Sequence, residues 1–270
     1  MSAAVLAPPP GRTVRAEWTK LRTLPSTFWL VVTAVAATVA LGAALAGSLD
    51  IRHCTGTCVE DTTKMSLGGV RLGQVGVAIL AALAVTAEYG TRTIRPTLTA
   101  TPARWRVLAS KLTVVTLLGL AAGAAAVGGS LLAARAILPG NGFTPVNGYA
   151  ELSLADDLSR RAAIGTVLYF GLVALLSGGL GFALRDTGGT VAAVLGLFYG
   201  SPLVAMFVTD PVWQHRIHRY SPMDAGLAIQ ATRDIATTTH IGPWAGVGLL
   251  AAYAGAAVLV GAVLFRLRDA

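Results

Sequence analysis

Long apolar runs constrain this chain more than any other feature of its sequence. A helix needs about 20 mostly apolar residues to cross about 30 Å of hydrocarbon, and six segments meet that length. They predict an all-α polytopic membrane protein with six transmembrane helices. The predicted spans are Thr27–Gly47, Leu67–Ala87, Leu112–Leu138, Ala162–Leu184, Thr187–Val208 and Ile241–Phe265.

Two features of the sequence bear on the number of spans. The second span carries Arg71 and Gln74 near its start, and only Arg185 and Asp186 separate the fourth span from the fifth. The short separation between the fourth and fifth spans predicts a tight helical hairpin. A five-span alternative would demote the second or the fifth segment, but both are long enough to cross, so we favour six.

The composition agrees with a membrane domain. The chain is 54% apolar and 13% charged, and that charged share is about half of what a soluble domain carries. It has too few charged residues to cover a soluble core and no room for a soluble catalytic domain. We therefore assign residues 26–270 to one six-span membrane domain.

The N-terminus does not match a cleavable signal peptide. Residues 2–10 contain no basic residue, and the first apolar run is too long for a signal-peptide core. The first span is therefore expected to stay in the mature protein. The heavy use of Ala, Gly, Val and Arg favours a high-GC bacterium and hence a bacterial plasma (inner) membrane, with the chain as a multi-pass protein.

Lysine and arginine beside the spans predict the orientation. With the N-terminus inside, the cytoplasmic segments 1–26, 88–111, 185–186 and 266–270 hold twelve basic residues against four acidic ones, which equals the net charge of +8. The outer segments balance to zero, so both termini are expected to be cytoplasmic. These charges lie at membrane edges, where they meet anionic headgroups. No nucleic-acid-binding motif accompanies them, so nucleic acid is not an expected partner.

The N-terminal flank divides into two parts. Residues 1–12 include three consecutive prolines at positions 8–10 and predict a flexible tail. Residues 13–25 place Trp18 and Leu21 at helical spacing with basic residues elsewhere on the wheel, which predicts an amphipathic interfacial helix that Pro25 ends. The alternative is an ordinary positively charged flank of the first span.

The cytosolic segment between the second and third spans is the most informative. Thr101 can cap a short helix with Pro102 in its first position. Basic and aromatic residues then alternate, which makes the helix amphipathic: Arg104, Trp105, Arg106 and Lys111. The segment is either an interfacial loop or a docking element for a cytosolic partner.

Two outer segments carry candidate chemistry. Cys54 and Cys58 are the only cysteines, and an exported loop favours a disulfide between them over a metal site. His215 and His218 could share a helical face, with Asp224 as a nearby carboxylate. No metalloprotease spacing accompanies them, so we predict no metal site and expect solvated residues on a short outer helix.

Several motifs are absent from the sequence. There is no phosphate-binding loop of the Walker A type, so the chain is not expected to bind and hydrolyse ATP itself. There is no nucleophile elbow. No acidic or histidine residue falls in the middle of a predicted span, which argues against an ion-coupled carrier.

Four stretches together resemble a known family. They are Arg15–Thr23 with Ser26 and Thr27, the cytosolic stretch 88–98 with 102–111, the hairpin 181–189, and the outer turn 221–226. In this order they are similar to the permease subunit of type-2 ABC exporters, the group that includes bacitracin-export and multidrug-export permeases. The similarity extends over nearly the whole chain.

The resemblance implies an assembly of two permeases and two ATP-binding subunits. ATP and Mg would lie on the ATP-binding subunits, and this chain would bind no cofactor. The second permease is expected to be an identical copy, although a pair of related permeases stays open. The enclosing membrane lipids are the remaining expected partners.

Residue roles follow from the same resemblance. The helix around 101–110 would be the coupling helix that sits in a cleft of the ATPase. Glu88 and Arg95 would brace its loop, while Arg104 and Arg106 would face the ATPase, with Thr101, Pro102 and Trp105 as part of the same element. A connecting helix would pack beside it and would include Arg15, Glu17, Trp18, Lys20 and Arg22.

The sequence therefore favours an exporter permease that moves a hydrophobic or amphipathic substrate, such as an antibiotic, a peptide or a lipid. Two alternatives belong to other classes. One is a stand-alone membrane immunity protein that binds such a molecule without transport. The other is a membrane-embedded enzyme that uses His215, His218 and Asp224 on the outer face.

Overall fold

The computed structural model describes residues 10–48, 51, 60–91, 103–149, 152–233 and 241–268, and within these ranges it contains helices and no strand. The α-helices are α1 (Pro10–Thr23), α2 (Pro25–Ser48), α3 (Thr62–Ser66), α4 (Val70–Gly90), α5 (Arg104–Ile137), α6 (Asp157–Leu184), α7 (Thr187–Phe207), α8 (Pro211–Tyr220), α9 (Pro222–Leu227) and α10 (Pro243–Leu267). Short 3₁₀ turns occupy Leu138–Asn141, Pro145–Asn147 and Ala228–Gln230.

Six helices in the described residues are long and apolar enough to cross a membrane: α2, α4, α5, α6, α7 and α10. Each corresponds to one predicted span, which confirms the prediction of an α-helical multi-pass membrane protein. Lipid cannot hydrogen-bond to a peptide group, and a helix satisfies these groups internally. The five-span alternative is not needed, since both α4 and α7 reach 21 residues.

The N-terminal helix differs in one boundary from the prediction. Helix α1 begins at Pro10, so residues 10–12, predicted as part of a flexible tail, are helical. Proline fits the first turn of a helix because its missing N–H group has no intrahelical partner there. Leu24 separates α1 from α2. Helix α2 begins at Pro25, the residue that was predicted to end the preceding helix.

The predicted short coupling helix is part of a much longer one. Helix α5 runs without interruption for 34 residues from Arg104, and its N-cap is Ala103 rather than the predicted Thr101. No proline or glycine lies between residues 104 and 118 to end the first turns before the span begins. Thr101 and Pro102 lie outside the described residues.

Helix α6 occupies the centre of the bundle. It packs against α4, α5, α7 and α10, while α2 covers α4 and α5 from the other side. Large side chains of α6 are fully buried, among them Tyr169, Phe170, Leu176 and Phe182. The outer helices α2, α7 and α10 expose most of their surface, as expected of helices that face lipid.

The helix ends have well-defined caps. Aspartate or serine side chains accept hydrogen bonds from backbone N–H groups in the first turns of α3, α6, α7, α8 and α9. The accepting residues are, in this order, Asp61, Asp156, Asp186, Asp210 and Ser221. Between α6 and α7, Arg185 adopts a left-handed conformation with φ of 59° and Asp186 caps α7. This confirms the tight hairpin.

Contacts between helices define two ends of the bundle. One end, called here the α1 end, contains α1, the last turns of α4, α6 and α10, and the first turns of α5 and α7. The opposite end, the α3 end, contains α3, α8 and α9. Helix α1 and the end of α10 thus lie at the same end.

Close backbone contact joins the central helix to α10. A Cβ atom added to Gly261 would lie 2.4 Å from the carbonyl oxygen of Gly179, and one added to Gly179 would lie 2.7 Å from the backbone nitrogen of Val258. Neither neighbour can move aside alone, because both are backbone atoms. Glycine is required here to let α6 and α10 approach.

This contact gives a matched pair of substitutions on one helix. We expect Gly261→Ala to destabilise the protein by about 1–3 kcal/mol through overpacking. Gly255→Ala on the same helix has open space around its added methyl group and should not destabilise. Thermal unfolding of both variants in detergent micelles tests this, and equal midpoints would contradict the assigned contact.

Candidate functional site

A group of four charged side chains joins three helices at the α1 end. The Nζ atom of Lys111 lies 2.8 Å from Oε2 of Glu17 and 2.8 Å from Oε1 of Glu88. The ammonium group of Lys20 also pairs with Glu88. Two positive and two negative charges balance, and Glu17, Lys20, Glu88 and Lys111 are called here the four-charge cluster.

The cluster is mostly buried. The side chains of Lys111 and Glu88 are 2% and 3% exposed, and that of Glu17 is 11% exposed, whereas Lys20 is 43% exposed. A buried charge costs several kcal/mol unless an opposite charge compensates it. Since Lys111 lies between two carboxylates, the placement of Glu17 and Glu88 depends on it, while Lys20 closes the cluster from the solvent side.

The sequence of α1 explains how Glu17 reaches this position. Val14 and Leu21 lie one turn before and one turn after Glu17, on the same face, and both pack against the core. Glu17 is itself buried on that face. Trp18, predicted at helical spacing with Leu21 on an interfacial helix, has a side chain that is 43% exposed. The buried face of α1 is therefore apolar with one acid at its centre.

One oxygen of the cluster is left over. Oε2 of Glu88 is buried and accepts no hydrogen bond among the described residues. Glu88 was predicted to brace the coupling loop together with Arg95. The structure gives Glu88 a different set of partners, in α1 and α5, and Arg95 lies outside the described residues.

Arg104 binds the end of α10. Its Nη1 atom lies 3.1 Å from the carbonyl oxygen of Phe265 and 3.2 Å from those of Arg266 and Arg268. The last carbonyl groups of a helix lack intrahelical partners and carry partial negative charge, so a guanidinium group stabilises them. The contact of Arg104 with an ATPase stays a prediction.

The hairpin between α6 and α7 binds the same helix end. Nη2 of Arg185 lies 3.4 Å from the carbonyl oxygen of Leu264 and 3.2 Å from that of Arg268. In return, Arg268 donates to the carbonyl oxygen of Ala183 at 3.2 Å. Helices α5, α6 and α10 are thus joined at the α1 end by arginine–carbonyl hydrogen bonds.

A basic and aromatic surface remains exposed beside these buried contacts. Trp105 is 55% exposed, and the guanidinium group of Arg106 lies 5.4 Å from the centre of its ring, within cation–π range. Arg15 and Arg22 of α1 are exposed on the same end. This surface can receive a partner of complementary charge without disturbing the bundle.

Several predicted site residues lie outside the described residues. They are Arg95, Thr101 and Pro102 of the proposed coupling segment, and Cys54 and Cys58 of the proposed disulfide. The coupling geometry of the loop and the pairing of the cysteines therefore stay predictions. Of the coupling residues that are described, the structure brings Glu88 to α1, Arg104 to α10, and Trp105 with Arg106 to the surface.

At the α3 end, the two histidines that the sequence singled out lie on helix α8. Nδ1 of His218 lies 2.8 Å from Oδ2 of Asp224, while Asp210 caps α8. Among the described residues, no group of three or more His, Cys, Asp and Glu side chains is placed to hold a metal ion.

Gln74, which made the second span the least regular, is satisfied inside the bundle. Its Nε2 atom donates to the hydroxyl of Tyr199 at 2.9 Å and lies 3.1 Å from the sulfur of Met223, and its Oε1 accepts from Tyr169. Buried polar groups need such partners, most of all where lipid excludes water. The polar start of α4 is thus compatible with a span.

Comparison with known proteins adds no assignment: no protein-family model and no curated protein matches this chain.

The four-charge cluster predicts unequal effects for its two lysines. Lys111→Met should cost about 3–5 kcal/mol because it leaves the buried Glu17 and Glu88 without their shared partner. Lys20→Met, at the exposed edge, should cost less than about 1 kcal/mol. The free energy of unfolding of each variant in detergent measures this difference. Equal losses of stability in the two variants would contradict the central position assigned to Lys111.

Proposed function

We propose that this chain is the permease subunit of a type-2 ABC exporter in a bacterial plasma membrane. It would move a hydrophobic or amphipathic substrate, with energy from a separate ATP-binding subunit. The observation that carries the proposal is the four-charge cluster, since it attaches an amphipathic end helix to two membrane helices. The family resemblance of the sequence supports the same assignment.

The four-charge cluster would allow α1 to transmit force to the membrane helices. Breaking a buried ion pair costs several kcal/mol, so α1, the end of α4 and the start of α5 should move together. Helix α5 is continuous over 34 residues, or about 50 Å at 1.5 Å per residue. A displacement at its first turn would therefore reach the far side of the membrane through a rigid helix.

The α1 end would face the cytoplasm. The segments at this end include those with the excess of lysine and arginine, and cytoplasmic segments carry such an excess in membrane proteins. In this orientation α1 acts as the connecting helix. Arg15, Trp18 and Arg22 then lie at the cytoplasmic membrane surface.

The exposed surface around Trp105 and Arg106 would bind the ATP-binding subunit. An aromatic residue with an arginine beside it is typical of the residues that dominate protein interfaces. Two such subunits, which would hold ATP and Mg, are expected per complex. The preceding coupling segment with Arg95, Thr101 and Pro102 would complete this interface.

A second copy of the permease would pack against α7. A methyl group added to Gly196 or Gly200 of this helix would meet no other part of the described chain within 4 Å, and Leu203, Met206 and Phe207 are strongly exposed. Small residues permit close approach of helices in a membrane. A homodimer through this face is part of the proposal.

The interface is tested with two tryptophans of equal exposure. Trp105 and Trp213 are each 55% exposed, at the α1 end and the α3 end respectively. The proposal predicts that an ATP-binding protein is encoded beside this gene. When the two are co-expressed, Trp105→Ala should reduce co-purification of that protein about tenfold or more, as for the loss of an interface hot spot. Trp213→Ala should leave co-purification unchanged.

Arg104 is left intact in this experiment, because its substitution would release the end of α10. Two results would overturn the proposal. In one, the wild-type chain is purified alone as a stable protein without an ATPase. In the other, both tryptophan variants retain the ATPase as the wild type does.

A further inference from the structure

A cavity of about 500 Å³ opens at the α3 end, on the opposite side from the proposed coupling surface. It lies between the ends of α2, α4 and α7 and the short helices α3, α8 and α9. Part of its lining is apolar and is called here the apolar wall; it includes Leu45, Met65, Pro202 and Leu227. Charged side chains, called here the charged wall, form another part of the lining, so the cavity is amphipathic.

A lysine that pairs with none of the described residues lines this cavity. Lys64 lies in α3, whose first turn Asp61 caps, and its ammonium group makes no hydrogen bond or ion pair with the described residues. Burial lowers the pKa of Lys64 below its ordinary value; Asp61 and Asp224 act in the opposite direction and Arg71 acts in the same direction. A half-buried lysine of this kind is stabilised by an anion.

A second cation stands near it on α4. The guanidinium group of Arg71 lies 3.9 Å from Oδ1 of Asp224, which is beyond hydrogen-bond distance, and its side chain is 60% exposed. Arg71 therefore keeps most of its donors available. Together Lys64 and Arg71 place two positive charges on the charged wall of the cavity.

Two of the three carboxylates in the cavity are already engaged. Asp61 accepts from the backbone nitrogen of Lys64 at 3.0 Å, from the hydroxyl of Thr232 at 2.6 Å and from the backbone nitrogen of Arg233 at 3.0 Å. Asp224 is paired with His218. The third, Glu60, makes no side-chain hydrogen bond or ion pair with the described residues.

We propose that this cavity binds a zwitterionic phospholipid whose headgroup carries a primary ammonium. Its phosphate would lie between Lys64 and Arg71, and its ammonium would lie at Glu60. The apolar wall of Leu45 and Met65 would receive the start of an acyl chain. Lys64 and Glu60, which pair with none of the described residues, and Arg71, whose side chain is 60% exposed, carry this assignment. It does not depend on the transport function.

The test measures lipid binding to the full chain in a non-ionic detergent. Dihexanoyl-phosphatidylethanolamine is titrated into the protein, and bound lipid is counted by native mass spectrometry. Saturable binding is expected, and Lys64→Met should raise the Kd about tenfold, as for the loss of one charge-assisted hydrogen bond. Lys64→Arg should restore the affinity, which separates binding from folding.

The ammonium is tested with a second lipid and a second variant. Glu60→Gln should raise the Kd for phosphatidylethanolamine about tenfold. It should leave the affinity for dihexanoyl-phosphatidylglycerol, which has no ammonium, unchanged. The control Arg160→Gln removes an exposed arginine that pairs with Asp157 outside the cavity, and it should change neither affinity.

Three outcomes would overturn the proposal. One is an unchanged Kd for Lys64→Met in a protein that elutes as the wild type does on size exclusion. The second is that phosphatidylglycerol binds as tightly as phosphatidylethanolamine and that Glu60→Gln changes neither affinity, which would assign a simple anion site. The third is that inorganic phosphate competes at the same concentration as the lipid, which would exclude a role of the apolar wall.

Discussion

Hydrocarbon offers no hydrogen-bond partner to a peptide group, and the organisation of this chain follows from that constraint. Helices satisfy their own backbone, so six of them can cross. A polar side chain that enters the bundle is then stabilised by a partner inside it. Gln74 finds two tyrosines and a methionine, and Lys111 finds two glutamates. The interior is therefore apolar except at points where polar groups hold particular helices together.

The two ends of the bundle use charge in different ways. At the α1 end, Lys111 and its two carboxylates neutralise one another, and arginines cap the end of α10. These contacts leave a rigid junction of α1, α4, α5, α6 and α10. At the α3 end, Lys64 and Glu60 line an open cavity without a partner among the described residues. The first arrangement suits the transmission of movement, and the second suits the binding of a ligand.

Local sequence patterns predicted the parts of this fold that depend on local physics. Span length, the break before Pro25 and the turn at Arg185 follow from apolar runs and helix-ending residues, and each is present. The partners of Lys111 and Arg104 could not be predicted in this way. A pattern of residues gives the depth of a side chain along a helix, but its neighbours depend on how three helices rotate toward one another. For the same reason Glu17, rather than Trp18, turned out to occupy the buried face of α1.

The junction between α6 and α10 has a consequence for how the protein is made. Helix α6 leaves the ribosome well before α10, yet one of its faces is buried only when α10 arrives at Gly179. The same holds for Arg104, whose carbonyl partners belong to α10. During synthesis this face of α6 must be covered by lipid or by the insertion machinery. Lipid can cover an apolar helix face at low cost. The arrival of α10 then exchanges lipid contacts for helix contacts within the membrane.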